Sequence, residues 1–252
     1  MRILAIDTST SVCAAAVVRD GAVLAERSEP ADSHAATLPR LVDAVLGAAG
    51  GPLESPDAIA VATGPGSFTG LRIGLSFAKG MVFAGGLRIV GVPTLDAWAL
   101  AAPAWDGRLC AVLDARKREV YAAVYERTAQ GRVVRCGAPC ALAAVRLAQT
   151  LVSTGGGTCT FIGEAVDVYG DVFREVMGTG ATFVRPGEHP GRAGAVARLG
   201  AGRLAELPAG DPLDDLAPTY VRPPEAELKQ SASAPSRGAA APTFVDKVSL
   251  LY

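Results

Sequence analysis

Two aspartates, each closing an apolar run, are the residues best placed to do chemistry. Asp7 ends residues 2–7 and Asp114 ends residues 109–114. A carboxylate at the end of a buried strand can hold a metal-bound water, or it can cap the turn that follows. The turns are Thr8-Ser9-Thr10 and Ala115-Arg116-Lys117-Arg118. A turn that grips phosphate normally carries glycine, which lets backbone N–H groups approach the oxygens. Neither turn has one. A third candidate is the string Gly64-Pro65-Gly66-Ser67-Phe68-Thr69-Gly70-Leu71-Arg72-Ile73-Gly74. It joins an apolar run at 58–63 to a helical run at 69–83. The order strand, glycine loop, helix N-terminus gathers N–H groups where an anion can sit, and Ser67 or Thr69 can cap the helix. The loop is not a Walker A motif, because no Lys-Ser/Thr pair follows the second glycine. The candidates for a vestigial nucleotide cleft are therefore Asp7, Thr8, Ser9, Gly66, Ser67, Asp114 and Arg116.

Other chemistries find less support. The chain has two histidines, His34 and His189, and five cysteines. Cys136 and Cys140 stand four apart, but no second pair or nearby histidine completes a zinc set, so no metal site is expected. A serine hydrolase of the G-x-S-x-G type is not supported, since Pro65 and Thr69 take the flanking glycine positions around Ser67. His34 stands at a helix start, where a solvated or capping role is the ordinary one. The net charge of −1 argues against holding nucleic acid by charge alone. Free thiols fit a reducing compartment. The opening Met1-Arg2-Ile3-Leu4-Ala5-Ile6 meets Asp7 too soon for a secretory leader, and no apolar run reaches membrane-spanning length. The expectation is a cytoplasmic protein with no membrane contact.

The elements that must position these residues follow from periodicity. Strands are predicted at 2–7, 12–19 and 23–28, with Asp20-Gly21 as the hairpin turn between the last two. Leu38, Leu41, Val42 and Val45 form the apolar stripe of a helix over 35–49. A strand at 58–63, the helix at 69–83, a strand at 88–92 and a short helix to 102 follow. After Pro103-Ala104-Trp105-Asp106-Gly107 the pattern restarts. Strands are predicted at 109–114, 119–125, 133–136, 159–162 and 182–185, with helices at 142–151, 166–177 and 192–206. The last part is rich in proline, alanine and serine, and 229–242 has the composition of a flexible tail. Residues 245–252 are apolar enough to dock.

Within the helix at 69–83, Gly70, Gly74 and Ala78 form one column, with Leu71, Leu75 and Val82 beside or along it. Glycine inside a helix costs up to about 1 kcal/mol relative to alanine. Two in one column imply that another backbone comes close. That backbone belongs either to the chain's own sheet or to a partner.

Two aspartate-ended first strands in two duplicated units suggest an actin-like (ASKHA, RNase H-like) α/β fold. It would have two βββαβαβα halves, the second degraded. The expected division is 1–103, 104–190, a C-terminal helix and extended segment at 191–227, and a tail at 228–252.

Four strings carry a more specific likeness: Arg2 to Thr10, the Gly64–Gly74 loop, Gly91-Val92-Pro93-Thr94-Leu95, and Asp114-Ala115-Arg116-Lys117-Arg118-Glu119-Val120-Tyr121. With Pro218-Thr219-Tyr220-Val221-Arg222, the sequence resembles the bacterial TsaB (YeaZ) family over about residues 1–227. The resemblance implies a non-catalytic subunit of the machinery that makes threonylcarbamoyladenosine beside the anticodon of tRNA. Its partners would be the larger paralogue TsaD, the small ATPase TsaE and, through the complex, tRNA. A homodimer would form when TsaD is absent. No cofactor of its own is implied, only weak ATP or ADP at a composite interface. The paralogue holds its metal with a histidine pair four residues apart, which His34 and His189 cannot supply. The partner interface implied comprises Leu38, Leu41, Val42, Val45, Gly70, Leu71, Gly74, Leu75, Ala78 and Val82. The alternatives are a nucleotide-binding or phosphotransfer enzyme of the same superfamily and, less favoured, a glycoprotease-type peptidase.

Overall fold

A computed structural model describes residues 1–51, 55–155, 157–184, 192–221 and 248–250. The first half runs β1 (Arg2–Asp7), β2 (Val12–Arg19), β3 (Ala22–Pro30), α1 (His34–Ala48), β4 (Ala58–Gly64), α2 (Phe68–Gly85), β5 (Arg88–Pro93) and α3 (Thr94–Ala101). The second repeats the order: β6 (Arg108–Asp114), β7 (Glu119–Arg127), β8 (Val133–Ala143), α4 (Ala144–Ser153), β9 (Cys159–Ile162), α5 (Ala165–Met177), β10 (Ala181–Phe183) and α6 (Arg192–Glu206). A last strand, β11 (Val248–Leu250), follows.

The sheets repeat as well. One has the order β3-β2-β1-β4-β5 and the other β10-β9-β6-β7-β8-β11. Read from β8 to β10, the second reproduces the first. In each, the first strand runs antiparallel to the second and parallel to the fourth. The duplication is thus complete in topology. Reduction in the second half is a matter of length, with four residues in β9 and three in β10.

Side chains alternate across these strands, and both faces are covered, so the strands read as continuous apolar runs. In β1, Leu4 and Ile6 face α1 and α2, whereas Ile3 and Ala5 face the other way, toward α3 and α6. In β6, Cys110 and Val112 face α4 and α5, whereas Leu109, Ala111 and Leu113 face the shared centre. Five layers result: α1–α2, first sheet, α3–α6, second sheet, α4–α5. Alanine dominates the first sheet's inner face (Ala5, Ala14, Ala16, Ala58, Ala60, Ala62), and α6 answers with Ala193 and Ala197. Small residues on both sides let the helix lie close to the sheet.

A buried polar knot ties the halves across this central layer. Asp96 of α3 accepts bonds from the Tyr125 hydroxyl (2.8 Å) and from Arg135 (2.9 and 3.0 Å). Burial pushes the Asp96 carboxyl above its ordinary value, against the pull of Arg135 and Tyr125. Periodicity did not point to this knot, because its members lie on three separate elements.

Two expectations need correction. The strand expected at 133–136 continues to Ala143, so Leu142 belongs to β8 and α4 begins at Ala144. Gly137 and Pro139 lie inside this strand, and the ladder with β7 absorbs them at an irregularity between Ala122 and Val124. α6 is the second half's equivalent of α3, and it packs on the first sheet rather than standing apart. Residues 245–252, expected to dock, include β11, which pairs antiparallel with β8 at Val248↔Cys136 and Leu250↔Val134. Residues 222–247, including most of the tail expected at 228–252, lie outside the described residues, as do His189 and Arg185. Among the described residues no helix is long and apolar enough to cross a membrane.

Candidate functional site

The β1–β2 turn is where the two halves and the glycine loop converge. β1 delivers Asp7 to its carboxyl end, fully buried, and Thr8, Ser9 and Thr10 after it are buried too. The Ser9 N–H donates to Asp7 Oδ1 (2.8 Å), which folds the turn back on its own aspartate. The glycine loop then lies directly against it. The Ser67 N–H donates to the Ser9 carbonyl (2.7 Å), and Thr8 Oγ1 donates to the Gly70 carbonyl (2.7 Å). Ser67 is the N-cap of α2, its hydroxyl accepting the Gly70 N–H at 3.2 Å.

This contact explains the glycine column. A Cβ at Gly70 would strike the Thr8 carbonyl oxygen, and one at Gly74 would strike Thr8 Oγ1. The backbone that approaches α2 is the chain's own turn. Leu38, Leu41, Val42, Val45, Gly70, Leu71, Gly74, Leu75, Ala78 and Val82 are all buried within this one chain. The assignment of these ten to a partner interface is therefore corrected: they hold α1 and α2 onto the first sheet. Two substitutions follow. Gly70→Ala is expected to destabilise the fold by about 1–3 kcal/mol through overpacking, read as a lowered urea midpoint. Ala78→Asp buries a charge without a partner, so it is expected to unfold the protein rather than to dissociate a folded one.

The space beyond Asp7 is filled by Arg192. Arg192 opens α6 in the second half. Its Nε lies 2.5 Å from Asp7 Oδ2, and Nη2 donates to the Val12 carbonyl at 3.0 Å. Its guanidinium stands 4.9 Å from the Trp98 ring centre, within cation–π range. The side chains of Arg192 and Asp7 are 9% and 0% exposed. Glu164, at the start of α5, accepts the Ser11 N–H, and Arg192, Asp114 and Arg116 all act on its charge. Burial raises the Glu164 carboxyl above its usual range. Glu26 of β3 receives the Gly194 N–H at 3.0 Å, one of the free donors at the start of α6. The cleft between the halves is thus closed by the chain's own charged groups.

The second turn repeats the aspartate-to-N–H bond of the first but lies at the surface. Asp114 Oδ1 accepts the Arg116 N–H (2.8 Å) and the Tyr169 hydroxyl (3.1 Å). Arg116 projects outward, 88% exposed against 17% for Asp114. Of the seven cleft candidates, Asp7, Thr8, Ser9, Gly66 and Ser67 form one packed unit, in which a Cβ at Gly66 would strike the Ser9 carbonyl. Asp114 and Arg116 belong to the opposite turn, and Glu164 joins the two groups. Sequence reasoning missed Arg192, Glu164 and Glu26, since nothing in their local pattern marks them. His34 bonds the Thr10 carbonyl through Nε2 (2.8 Å), and no bond joins it to Ser67 among the described residues.

The extended segment after α6 returns to this end of the molecule. The Thr219 N–H donates to the Thr63 carbonyl (2.7 Å), and Tyr220 stacks on Phe68 with ring centres 5.4 Å apart. Arg72 lies 3.9 Å over Phe68 and donates to the Tyr220 hydroxyl (3.2 Å). Thr219 and Tyr220 belong to one motif and Phe68 and Arg72 to another, so two motifs distant in sequence meet in one place.

Comparison with known proteins places this geometry. The family model of TsaD, tRNA N6-adenosine threonylcarbamoyltransferase, matches residues 26–184. The solved structure of YeaZ from Pseudomonas aeruginosa is 30% identical, with a TM-score of 0.71 over 87% of this chain and 99% of that one. The chain belongs to the TsaB (YeaZ) family. The tRNA threonylcarbamoyladenosine biosynthesis protein TsaB of Bacillus subtilis is 28% identical over 91% of this chain and 97% of its own length. Its Escherichia coli counterpart is 41% identical, but over 52% of this chain and 58% of the relative. An activator of 2-hydroxyisocaproyl-CoA dehydratase from Clostridium difficile, solved with ADPNP, shares the fold at 9% identity and a TM-score of 0.51. Family membership accords with the duplicated actin-like fold, and within that fold this chain fills the turn at Asp7 with its own arginine.

Proposed function

We propose that this chain is a non-catalytic scaffold subunit of the machinery that places threonylcarbamoyl on tRNA adenosine. It would act with a TsaD-type paralogue and a TsaE-type ATPase. The observation that carries this reading is the Arg192–Asp7 pair, because a cation supplied by the chain itself neutralises and covers the carboxylate best placed to do chemistry.

The contact with the paralogue uses the outer faces of α1 and α2. On α1, Ala36, Arg40, Asp43 and Gly47 are exposed, and on α2, Arg72, Ser76, Gly80 and Phe83. Both sets recur at helical spacing, so each is one stripe. Phe83 is 89% exposed, a large aromatic left uncovered by the described residues. The TsaD family model matches this chain across both helices, so a TsaD-type partner has the same pair to offer. A second copy of this chain competes for the same face.

Reconstitution tests the proposal. tRNA, threonylcarbamoyl-adenylate, the paralogue and the ATPase are combined with and without this chain, and modified adenosine is measured. Product is expected only when the chain is present, with none from the chain alone. Equal product without it would refute the scaffold role.

A further inference from the structure

Arg116, Lys117 and Arg118 have φ values of 63°, 54° and 63°. They are three consecutive non-glycine residues in left-handed backbone, which crowds each Cβ against the following carbonyl oxygen. Glycine or asparagine would fit there without that strain. All three side chains are nevertheless basic and exposed. Strain of this kind persists only where the surroundings hold it, and here they do. Asp114 accepts the Arg116 N–H, the Ala115 N–H donates to the Glu119 carbonyl (3.0 Å), and the Ala144 N–H donates to the Arg118 carbonyl (3.3 Å). The anions face inward: Asp114 is mostly covered, and one carboxylate oxygen of Glu119 is buried. The cation side chains are exposed, and Arg116 Nη1 also stands 3.5 Å from Asp114 Oδ2, a pair that an RNA phosphate would compete with. Tyr169, half-buried against the core of the second half, bonds Asp114 through its hydroxyl and lies within electrostatic range of both Arg116 and Arg118. Val168 beside it is 61% exposed.

We infer that this turn is an RNA-contact element, with Arg116, Lys117 and Arg118 on successive phosphates and Tyr169 against a base or ribose. Two guanidinium forks suit phosphate oxygens, and an aromatic among cations is the pattern by which single-stranded segments are held. A net charge of −1 overall makes this a local grip, one that serves when the rest of a complex presents the RNA. The inference rests on the scaffold reading above and adds to it a direct contact with tRNA.

The test uses the full chain carrying Arg116→Asn, Lys117→Gly and Arg118→Asn together. These residues suit left-handed backbone, so the melting temperature is expected to hold or rise, and lost folding cannot explain lost binding. Two readouts follow. In the reconstituted reaction, the KM for unmodified tRNA is expected to rise about tenfold, with kcat nearly unchanged. In fluorescence polarisation with fluorescein-labelled unmodified tRNA, the slope of log affinity against log salt is expected to fall by about 2. An unchanged KM and salt slope, with the wild-type chain still required for product, overturns the RNA contact and leaves the scaffold role standing. Loss of affinity for the paralogue with RNA binding intact also overturns it, since the turn would then read an acidic protein surface. If the wild-type chain proves dispensable for product, the scaffold role fails, and the polarisation titration still decides the RNA contact.

Discussion

Arg192→Ala is expected to destabilise the protein by about 3–5 kcal/mol, the cost of leaving a buried carboxylate without its cation. The argument is local. Asp7 is fully buried and pairs with Arg192 at 2.5 Å, and its other oxygen is taken by the Ser9 N–H. Removing the guanidinium also frees the Val12 carbonyl and uncovers Trp98. The measurement is a urea titration followed by circular dichroism, in which the midpoint should fall sharply. Asp7→Asn combined with Arg192→Met should recover most of the loss, because removing both charges avoids the orphan. If the single variant loses less than about 1 kcal/mol, water or another cation replaces the arginine, and the cleft is more open than this pair implies. Arg192→Ala also tests the scaffold reading from the other side. Should the folded variant gain affinity for ATP with magnesium, the arginine acts as a plug in a cleft that still fits nucleotide.

Much of this architecture was legible in the sequence, for a physical reason. Strands covered on both faces must be apolar throughout, so residues 2–7, 58–63 and 109–114 announce themselves. A carboxylate at the end of two such runs marks the duplication. The helical stripe of Leu38, Leu41, Val42 and Val45 is equally plain. What periodicity cannot say is whose surface a stripe meets. The Gly70–Gly74–Ala78 column correctly signals a close backbone, yet the backbone is the Thr8 turn and not a partner's. The same limit hides Arg192, whose charge is matched by an aspartate far away in the chain. The strand at 133–136 is the opposite case, since pairing along β7 carries it through Gly137 and Pro139 to Ala143.

The proposed contact at the outer face of α2 gives the second large effect. Phe83→Asp is expected to weaken association with the paralogue by about 30-fold or more, the scale of a hot-spot loss near 2 kcal/mol. The monomer should fold as before, because the side chain is 89% exposed and contributes little to the core. Gly80 sharpens the test. Among the described residues nothing outside the helix's own backbone lies within 4 Å of a Cβ built there, and the position is inside α2. Gly80→Ala should therefore stabilise the isolated chain by up to about 1 kcal/mol, through helix propensity alone. If a partner helix crosses at Ser76 and Gly80, the added methyl pushes it away, and affinity falls while stability rises. Changes of opposite sign cannot come from a folding defect. Thermal melts of each variant and isothermal titration against the paralogue read both quantities. If Phe83→Asp and Gly80→Ala each bind with wild-type affinity, the outer face of α2 is not the contact. The exposed stripe of α1 at Ala36, Arg40, Asp43 and Gly47 would then have to carry the partner alone, which an isolated narrow helix face does poorly, since a stable interface needs about 800 Å² from each side.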